Sequence, residues 1–399
     1  MLIFPRLILM LFFVLLGSGK IFAQDTLLNP INKQVQKVLD RLHTTDGFPG
    51  ATAAYILADG SKKQFSIGYE DREARSRMSP DARMLSGSTG KSFVAAVALN
   101  MALENKLSLD TPIKKWLAEK PWFIRLPNGG QITLRMLLRH QSGLTDHISN
   151  NHFKETMRKG LRREGPEFKL EPEQLVQFIL DTEPLFPAGK GYHYSDTNYI
   201  LVGLIIEAIT GNSYNQELRE RFLNPLELKN TDPSYHNMLT GLAAGYIKSP
   251  LGFDLPPKVV QNNRLVYNPA TEWTGGGLVT NSGDLAFWAK TLYEGRAMKA
   301  HYLDQLLNFV PKDSSQKAQY GPEVGYGLGV TTRVTPLGKA YGHRGWTPGY
   351  LSIFEYYPQY KMAVAIQVNE FGAYDMSSYA IQLASTIISF SPMKNCHIP

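Results

Sequence analysis

The stretch Ser88–Leu103, STGKSFVAAVALNMAL, constrains the fold more than any other part of the chain. Read as a helix, it carries Val94, Ala95, Val97, Ala98, Met101 and Ala102 around most of its circumference. A helix this apolar on most sides has to be buried centrally, so the rest of the chain must wrap it. With 399 residues, 43% hydrophobic and 19% charged, the material for such a core is present and the composition is globular. The only cysteine, Cys396, allows no internal disulfide and no thiolate metal cluster. Packing alone has to hold the fold.

Around this helix two periodicities alternate. Residues 31–43 put Val35, Val38, Leu39 and Leu42 on one face of an amphipathic helix. Ala51–Leu57 and Lys63–Tyr69 are strand-like and flank Asp59-Gly60, a hairpin signal. Asp110 or Thr111 is expected to cap a helix with Pro112 in its first turn. Helical patterns then dominate to about residue 289, among them the apolar run Thr197–Thr210 closed by Gly211. Tyr350–Tyr356 and Met362–Val368 form a second hairpin across Tyr357-Pro358-Gln359-Tyr360, and a helix follows over Met376–Ile388. The expected class is α+β, in one domain over residues 24–399. Its antiparallel sheet is built by N- and C-terminal parts (about 24–110 and 290–399) and flanked by helices, with an inserted, mostly helical lobe (about 111–289).

The leading segment stands apart. Arg6, the apolar run Leu7–Leu16 and Ile21-Phe22-Ala23 before Gln24 predict a secretory signal peptide over residues 1–23. The run is too short to span a bilayer, a retained anchor being the alternative. A periplasmic or secreted protein without a stable membrane span follows. The net charge is +7, or +5 without Arg6 and Lys20, and no dense basic run marks a nucleic-acid surface.

Three serines open a Ser-x-x-Lys tetrad: Ser88-Lys91, Ser314-Lys317 and Ser391-Lys394. Ser314 lies in a polar stretch and Ser391 precedes Pro392 near the chain end, whereas Ser88 opens the buried helix. On a helix, positions i and i+3 share a face, so Lys91 can reach the Ser88 hydroxyl. A serine becomes a nucleophile only when a base takes its proton, and a helix N-terminus offers unpaired N–H groups to a developing oxyanion. Gly90-Lys91-Ser92 also nearly spells a phosphate-binding loop, but Leu85 stands where that pattern needs glycine. Tyr194-Ser195-Asp196 precedes the apolar helix; a phenol there relays protons when nearby cations such as Lys91 lower its pKa. Gly342-His343-Arg344-Gly345-Trp346 has the glycines of an edge strand that a substrate could lie against. His147 and His152 have no metal-ligand pattern between them and read as surface residues. No metal and no cofactor are expected.

Taken in chain order, Ser88-Thr89-Gly90-Lys91, Tyr194-Ser195-Asp196 and His343-Arg344-Gly345 resemble the three signatures of the serine β-lactamase and penicillin-binding protein superfamily, in its class C β-lactamase-like branch. Phe48-Pro49-Gly50-Ala51, Leu137-Leu138-Arg139-His140-Gln141-Ser142-Gly143-Leu144 and Gly275-Gly276-Gly277-Leu278-Val279 add to the likeness, which covers about residues 31–390. The resemblance implies a β-lactamase/transpeptidase-like fold and a serine hydrolase working through an acyl-enzyme. It makes Ser88 the nucleophile, gives the base role to Lys91 and Tyr194, and has His343 tune or relay a proton. The oxyanion hole is then the backbone N–H groups of Ser88 and Trp346, with Asp196, Arg344, Gly345 and Trp346 lining the substrate. Asp196 stands where the signature usually has Asn. Arg344 and Trp346 replace smaller residues, and an indole here would narrow the cleft or turn outward. These departures lean away from efficient β-lactam hydrolysis. A small ester or a D-amino-acid peptide, of the kind derived from peptidoglycan, is the expected substrate; a β-lactamase and a non-catalytic β-lactam or peptidoglycan sensor are the alternatives.

Overall fold

The computed structural model describes residues 28–299, 301–311 and 323–391. The leader, Ser314-Lys317, Lys394 and Cys396 lie outside the described residues. The frame is a nine-stranded antiparallel sheet. Its strands are β1 (Gly50–Ile56), β2 (Lys62–Asp71), β3 (Ser76–Arg77), β4 (Val310–Pro311), β5 (Glu323–Tyr326), β6 (Thr331–Thr335), β7 (Gly338–Thr347), β8 (Tyr350–Tyr357) and β9 (Met362–Val368). They run in the spatial order β4-β5-β6-β7-β8-β9-β1-β2-β3. The two hairpins form where expected, and β9 closes the sheet by pairing with β1, Ala54 opposite Ala365. The class is the expected mixed helix and sheet.

The helices that matter for the site are α1 (28–46), α2 (Lys91–Leu103), α3 (Leu134–Leu138), α4 (Asp196–Thr210), α5 (Ser282–Tyr293) and α6 (Met376–Phe390). Side chains alternate across a strand, so each strand serves two layers. Ala53, Ile353 and Val364 pack with Val35 and Leu39 of α1 and Leu383 of α6. Ala54, Phe354 and Ala365 face the other way, into the core that holds α2, α4 and α5. Strand β1 is buried along its whole length.

Helix α2 is enclosed as its composition requires. Phe93 stacks on Trp288 of α5 at 4.0 Å, and the Trp288 indole N–H donates to Ser92 Oγ at 2.9 Å. Each of Phe93, Val94, Val97, Leu99 and Met101 is buried, which stabilises the fold by about 1.5–3 kcal/mol per side chain. Two local expectations change. Ser88 is not inside the α-helix but in a 3₁₀ turn, Gly87–Gly90, that feeds it. The helix near residue 114 is only Lys114–Leu117, capped by Ile113, because Pro112 bridges Thr133 and Ile113 donates to the Ile132 carbonyl.

Strand β7 is interior for half its length and an edge for the rest. Gly338–Gly342 pair with β6, but beyond Gly342 only β8 remains as a partner. The free edge of residues 343–347 lies against the Ser88 turn, and only glycine permits that approach. A Cβ on Gly345 would stand 2.0 Å from the Ser86 carbonyl oxygen and 2.8 Å from Ser88 N. Gly345→Ala should therefore lower stability by about 1–3 kcal/mol. Gly130→Ala, with open space around it, should stay within about 0.5 kcal/mol of the parent. Denaturant melts of both variants check this.

Candidate active site

The 3₁₀ turn sets the first contact. With three residues per turn, Ser88 and Lys91 eclipse each other, and Lys91 Nζ donates to Ser88 Oγ at 2.9 Å. Lys91 is 0% exposed. Its ammonium also donates to the Gly275 carbonyl and pairs with Asp196 Oδ1. The Gly275-Gly276-Gly277 stretch can deliver that carbonyl because it packs backbone to backbone on the Ser88 turn. A Cβ on Gly276, where φ is +138°, would lie 2.3 Å from the Gly87 carbonyl oxygen. On the other side, the Trp346 main chain borders Gly87, with its N 2.5 Å from where a Gly87 Cβ would stand. The Trp346 main chain thus borders the residue just before Ser88.

Asp196 is the first residue of α4, where the helix N-terminus favours an anion. The loop before it is braced by the Leu137–Leu144 segment. His140, in a left-handed conformation (φ 57°), accepts the Ser195 N–H on Nδ1 at 3.2 Å, and its ring stacks 4.2 Å from that of Tyr194. Ser142 Oγ in turn holds Asn198 at 2.6 Å, and the Asn198 amide lies 3.1 Å from His140 Nδ1. Tyr194 presents its ring 5.1 Å from Lys91 Nζ. Its hydroxyl is pushed well above the usual phenol range by burial and then by the Asp196 charge, an effect the neighbouring Ser88 hydroxyl partly offsets. The expected lowering by cations does not occur, because the hydroxyl is buried and the lysine comes with its own carboxylate.

Two further acids crowd this pair. Asp146 accepts the Asp196 N–H at 3.2 Å and is pushed up to about 7 by burial and the Asp196 charge. Glu272, three residues before Gly275, is pushed up to about 8 by the same two causes, with Lys91 opposing them. His147 is buried, not a surface residue: its Nδ1 lies 2.9 Å from Thr197 Oγ1, and desolvation holds it down to about 4. Sequence reasoning missed Asp146, Glu272 and His140 as neighbours of the site. Their only local signal was proximity to the Ser142-Gly143-Leu144 and Gly275-Gly276-Gly277 strings.

The third motif divides between two faces. His343 lies opposite Phe354 and so shares the face toward α2, whereas Arg344 and Trp346 lie opposite Ile353 and Leu351, toward α1 and α6. His343 Nδ1 lies 2.6 Å from the Arg344 carbonyl, which can only accept, so Nδ1 carries the proton. Nε2 then accepts from the Tyr326 hydroxyl at 2.8 Å. The rings of His343 and Tyr194 are 6.4 Å apart, with Tyr326 beside both. Tyr326, between Gly325 and Gly327 in the sequence, is a second neighbour that no motif announced. The Arg344 guanidinium lies 3.4 Å from Ser377 Oγ on α6. Trp346 is 38% exposed against Phe371, so its indole turns outward and does not narrow the cleft. Ser88, Lys91, Tyr194 and Asp196 meet directly, His343 stands behind the tyrosines, and the Arg344 and Trp346 side chains leave the site.

The raised carboxyls make stability depend on pH in a definite direction. In the unfolded chain Asp146 and Glu272 ionise near the ordinary value of about 4, so the folded state holds their protons more tightly. The stabilisation is complete below about pH 4 and is lost as pH climbs toward about 8. Glu272→Gln cannot ionise, and its melting temperature should fall less than that of the parent between about pH 5 and about pH 9. Equal slopes in calorimetric scans would contradict the assignment.

The Beta-lactamase family matches residues 35–385. Among curated relatives, the teichoic acid D-alanine hydrolase of Staphylococcus aureus is 27% identical over 199 residues, 49% of this chain and 43% of that protein. The chain spans about half the length of the curated relatives it matches. Among solved structures, a D-stereospecific amidohydrolase from Streptomyces sp. has a TM-score of 0.74 at 27% identity, covering 88% of this chain and 97% of that one. The D-amino acid amidase from Ochrobactrum anthropi SV3 shares the fold at 24% identity with a TM-score of 0.74, over 92% and 99% of the two chains. No helix among the described residues is long and apolar enough to cross a membrane. With the family matched across nearly all of the sheet and every residue of the site, the chain belongs to the β-lactamase family of the serine β-lactamase and penicillin-binding protein superfamily, and has that fold.

Proposed function

We propose that this protein is an exported serine hydrolase that cleaves a small ester or a D-amino-acid amide through an acyl-enzyme on Ser88. The observation that carries the reading is the 2.9 Å contact from a fully buried Lys91 Nζ to Ser88 Oγ. A lysine enclosed in this way is not a solvated surface group. The reaction follows from the surrounding parts. Ser88 Oγ attacks the carbonyl carbon as its proton passes to Lys91, and the oxyanion is held by the N–H groups of Ser88 and Trp346. Tyr194, kept as a phenol by burial and by Asp196, can hand a proton to the leaving group. His343 acts at one remove, by orienting Tyr326 beside Tyr194. Gly345 lets the substrate run along the free edge of β7. The apolar leader supports export.

Charge selects among substrates. Asp196 balances the Lys91 ammonium, and Asp146 and Glu272, pushed up to about 7 and about 8, add negative charge as they ionise, so the pocket offers an anionic acyl donor no net positive charge and suits a neutral or cationic one. A β-lactam and a D-alanyl-D-alanine peptide both bring a carboxylate, and the Arg344 side chain that could receive it is turned toward α6. Amino-acid amides and aminoacyl esters bring an amine instead, in keeping with relatives named for D-amino acid amide and D-alanine hydrolysis. A D-alanyl ester of a cell-envelope polymer belongs to this class.

Two measurements test the reading. Intact-mass analysis after a fluorophosphonate should find one adduct on Ser88, and Ser88→Ala should remove it while lowering kcat by several orders of magnitude with the fold intact. An adduct on Ser391 would sink the nucleophile assignment. Under one set of conditions, kcat/KM for D-phenylalanine amide or p-nitrophenyl acetate should exceed that for a chromogenic cephalosporin by about tenfold or more. The reverse order would make the protein a β-lactamase.

A further inference from the structure

Aspartate at 196 stands where the family signature ends in asparagine, and the geometry around Lys91 gives that difference a chemical consequence. An ammonium has three N–H donors and no lone pair. Around it stand three acceptors: it donates to Ser88 Oγ at 2.9 Å and to the Gly275 carbonyl, and it pairs in direct contact with the Asp196 Oδ1 carboxylate oxygen. In that state Nζ has nothing with which to take the serine proton. One of its own protons must leave first, and only one of the three acceptors can keep it. A carbonyl and a hydroxyl are far too weakly basic; a carboxylate is not.

We propose that Asp196 is a positioning residue that holds one Lys91 proton during acylation, so that the working base is a neutral Lys91 amine beside a protonated Asp196. This rests on the reading of Ser88 as nucleophile. The step balances. Lys91 gives one proton to Asp196; the freed Nζ lone pair takes the Ser88 Oγ proton as Oγ bonds to the carbonyl carbon and the carbonyl electrons move onto oxygen. When that pair returns and the bond to the amine or alkoxide breaks, the proton on Nζ goes to the leaving group, directly or through Tyr194. Water repeats the cycle in deacylation, its proton passing by Nζ to Ser88 Oγ, and Asp196 returns its own to Lys91 at the end.

The groups that face the pair favour this arrangement. Asp146, from the loop after α3, sits on the Asp196 main chain at 3.2 Å, and Glu272 approaches from the turn before Gly275. Both add negative charge next to Asp196 when ionised, which a proton on Asp196 relieves. His147 beside Asp146 is held neutral by burial and adds no positive charge. Tyr194 and Tyr199 offer Lys91 their ring faces, at 5.1 and 5.4 Å, and remain phenols. Neither phenol competes with Nζ as the resting base.

The pH profile separates this role from a structural one. With Asp196 present, a single proton shared by the pair is enough for activity, so the acid limb of kcat/KM reflects protonation of a carboxyl-bearing couple. In Asp196→Asn the lysine must lose its proton to solvent, and the acid limb should move up by about two pH units or more, with activity recovered at high pH. Asp196→Glu, which keeps the carboxyl, should keep the low limb even with a reduced plateau, and serves if the Asn variant does not fold. Asp146→Asn and Glu272→Gln should leave a low limb in place. The same profile read as the rate of fluorophosphonate labelling of Ser88 tests the acylation step alone. An unshifted acid limb in Asp196→Asn, or a raised one in Asp196→Glu, overturns the proposal while leaving Ser88 as nucleophile. Labelling of the parent enzyme away from Ser88 overturns the nucleophile reading itself.

Discussion

A buried ammonium is the constraint around which this molecule is organised. An ion such as that of Lys91, removed from water, costs several kcal/mol unless its surroundings replace the lost hydration. The replacements come from three parts of the chain, one local and two distant: the Ser88 hydroxyl one turn away, the Gly275 carbonyl and the Asp196 carboxylate at the head of α4. Each has to be delivered to within hydrogen-bonding reach of one nitrogen. The central burial of α2 and the packing of α4 and the 275–277 strand-turn against it serve that requirement.

Delivery depends on backbone contacts that no side chain could survive. Gly87, Gly276 and Gly345 bring three main-chain segments together, with hypothetical Cβ atoms 2.0–2.5 Å from neighbouring backbone atoms. The Ser88 turn is thereby clamped between the glycine-rich stretch and the free edge of β7. The sheet supplies the rigidity. Strand β7 is anchored to β6 through Gly342 and to β8 through Thr347, so its unpaired edge stays aligned with the serine without a partner strand.

Electrostatically the site is a buried lysine–carboxylate pair with two further acids beside it. Asp146 and Glu272 keep protons close to neutral pH because burial and the Asp196 charge oppose their ionisation. Burial, and then the same charge, keeps Tyr194 a phenol. A single replacement, aspartate at 196, therefore reaches the lysine, the tyrosine and both neighbouring acids at once.

The sequence alone determined the chain-order motifs, the central helix, both hairpins and the alternation that makes an α+β sheet, because these depend on local periodicity and on spacing along one turn. The Ser88–Lys91 contact was legible for that reason: positions i and i+3 share a face whichever helix type forms. What lay beyond local spacing was decided by tertiary structure. That Arg344 and Trp346 turn away from the serine follows from the register of β7 on β8, which a strand read in isolation does not reveal. That Tyr194 is raised and not lowered follows first from its burial and then from Asp196 meeting Lys91 in space. Asp146, His147, Glu272 and Tyr326 join the site only when loops separated by dozens of residues fold over one buried charge, and the energy of burying that charge has no signature in the local pattern of the chain.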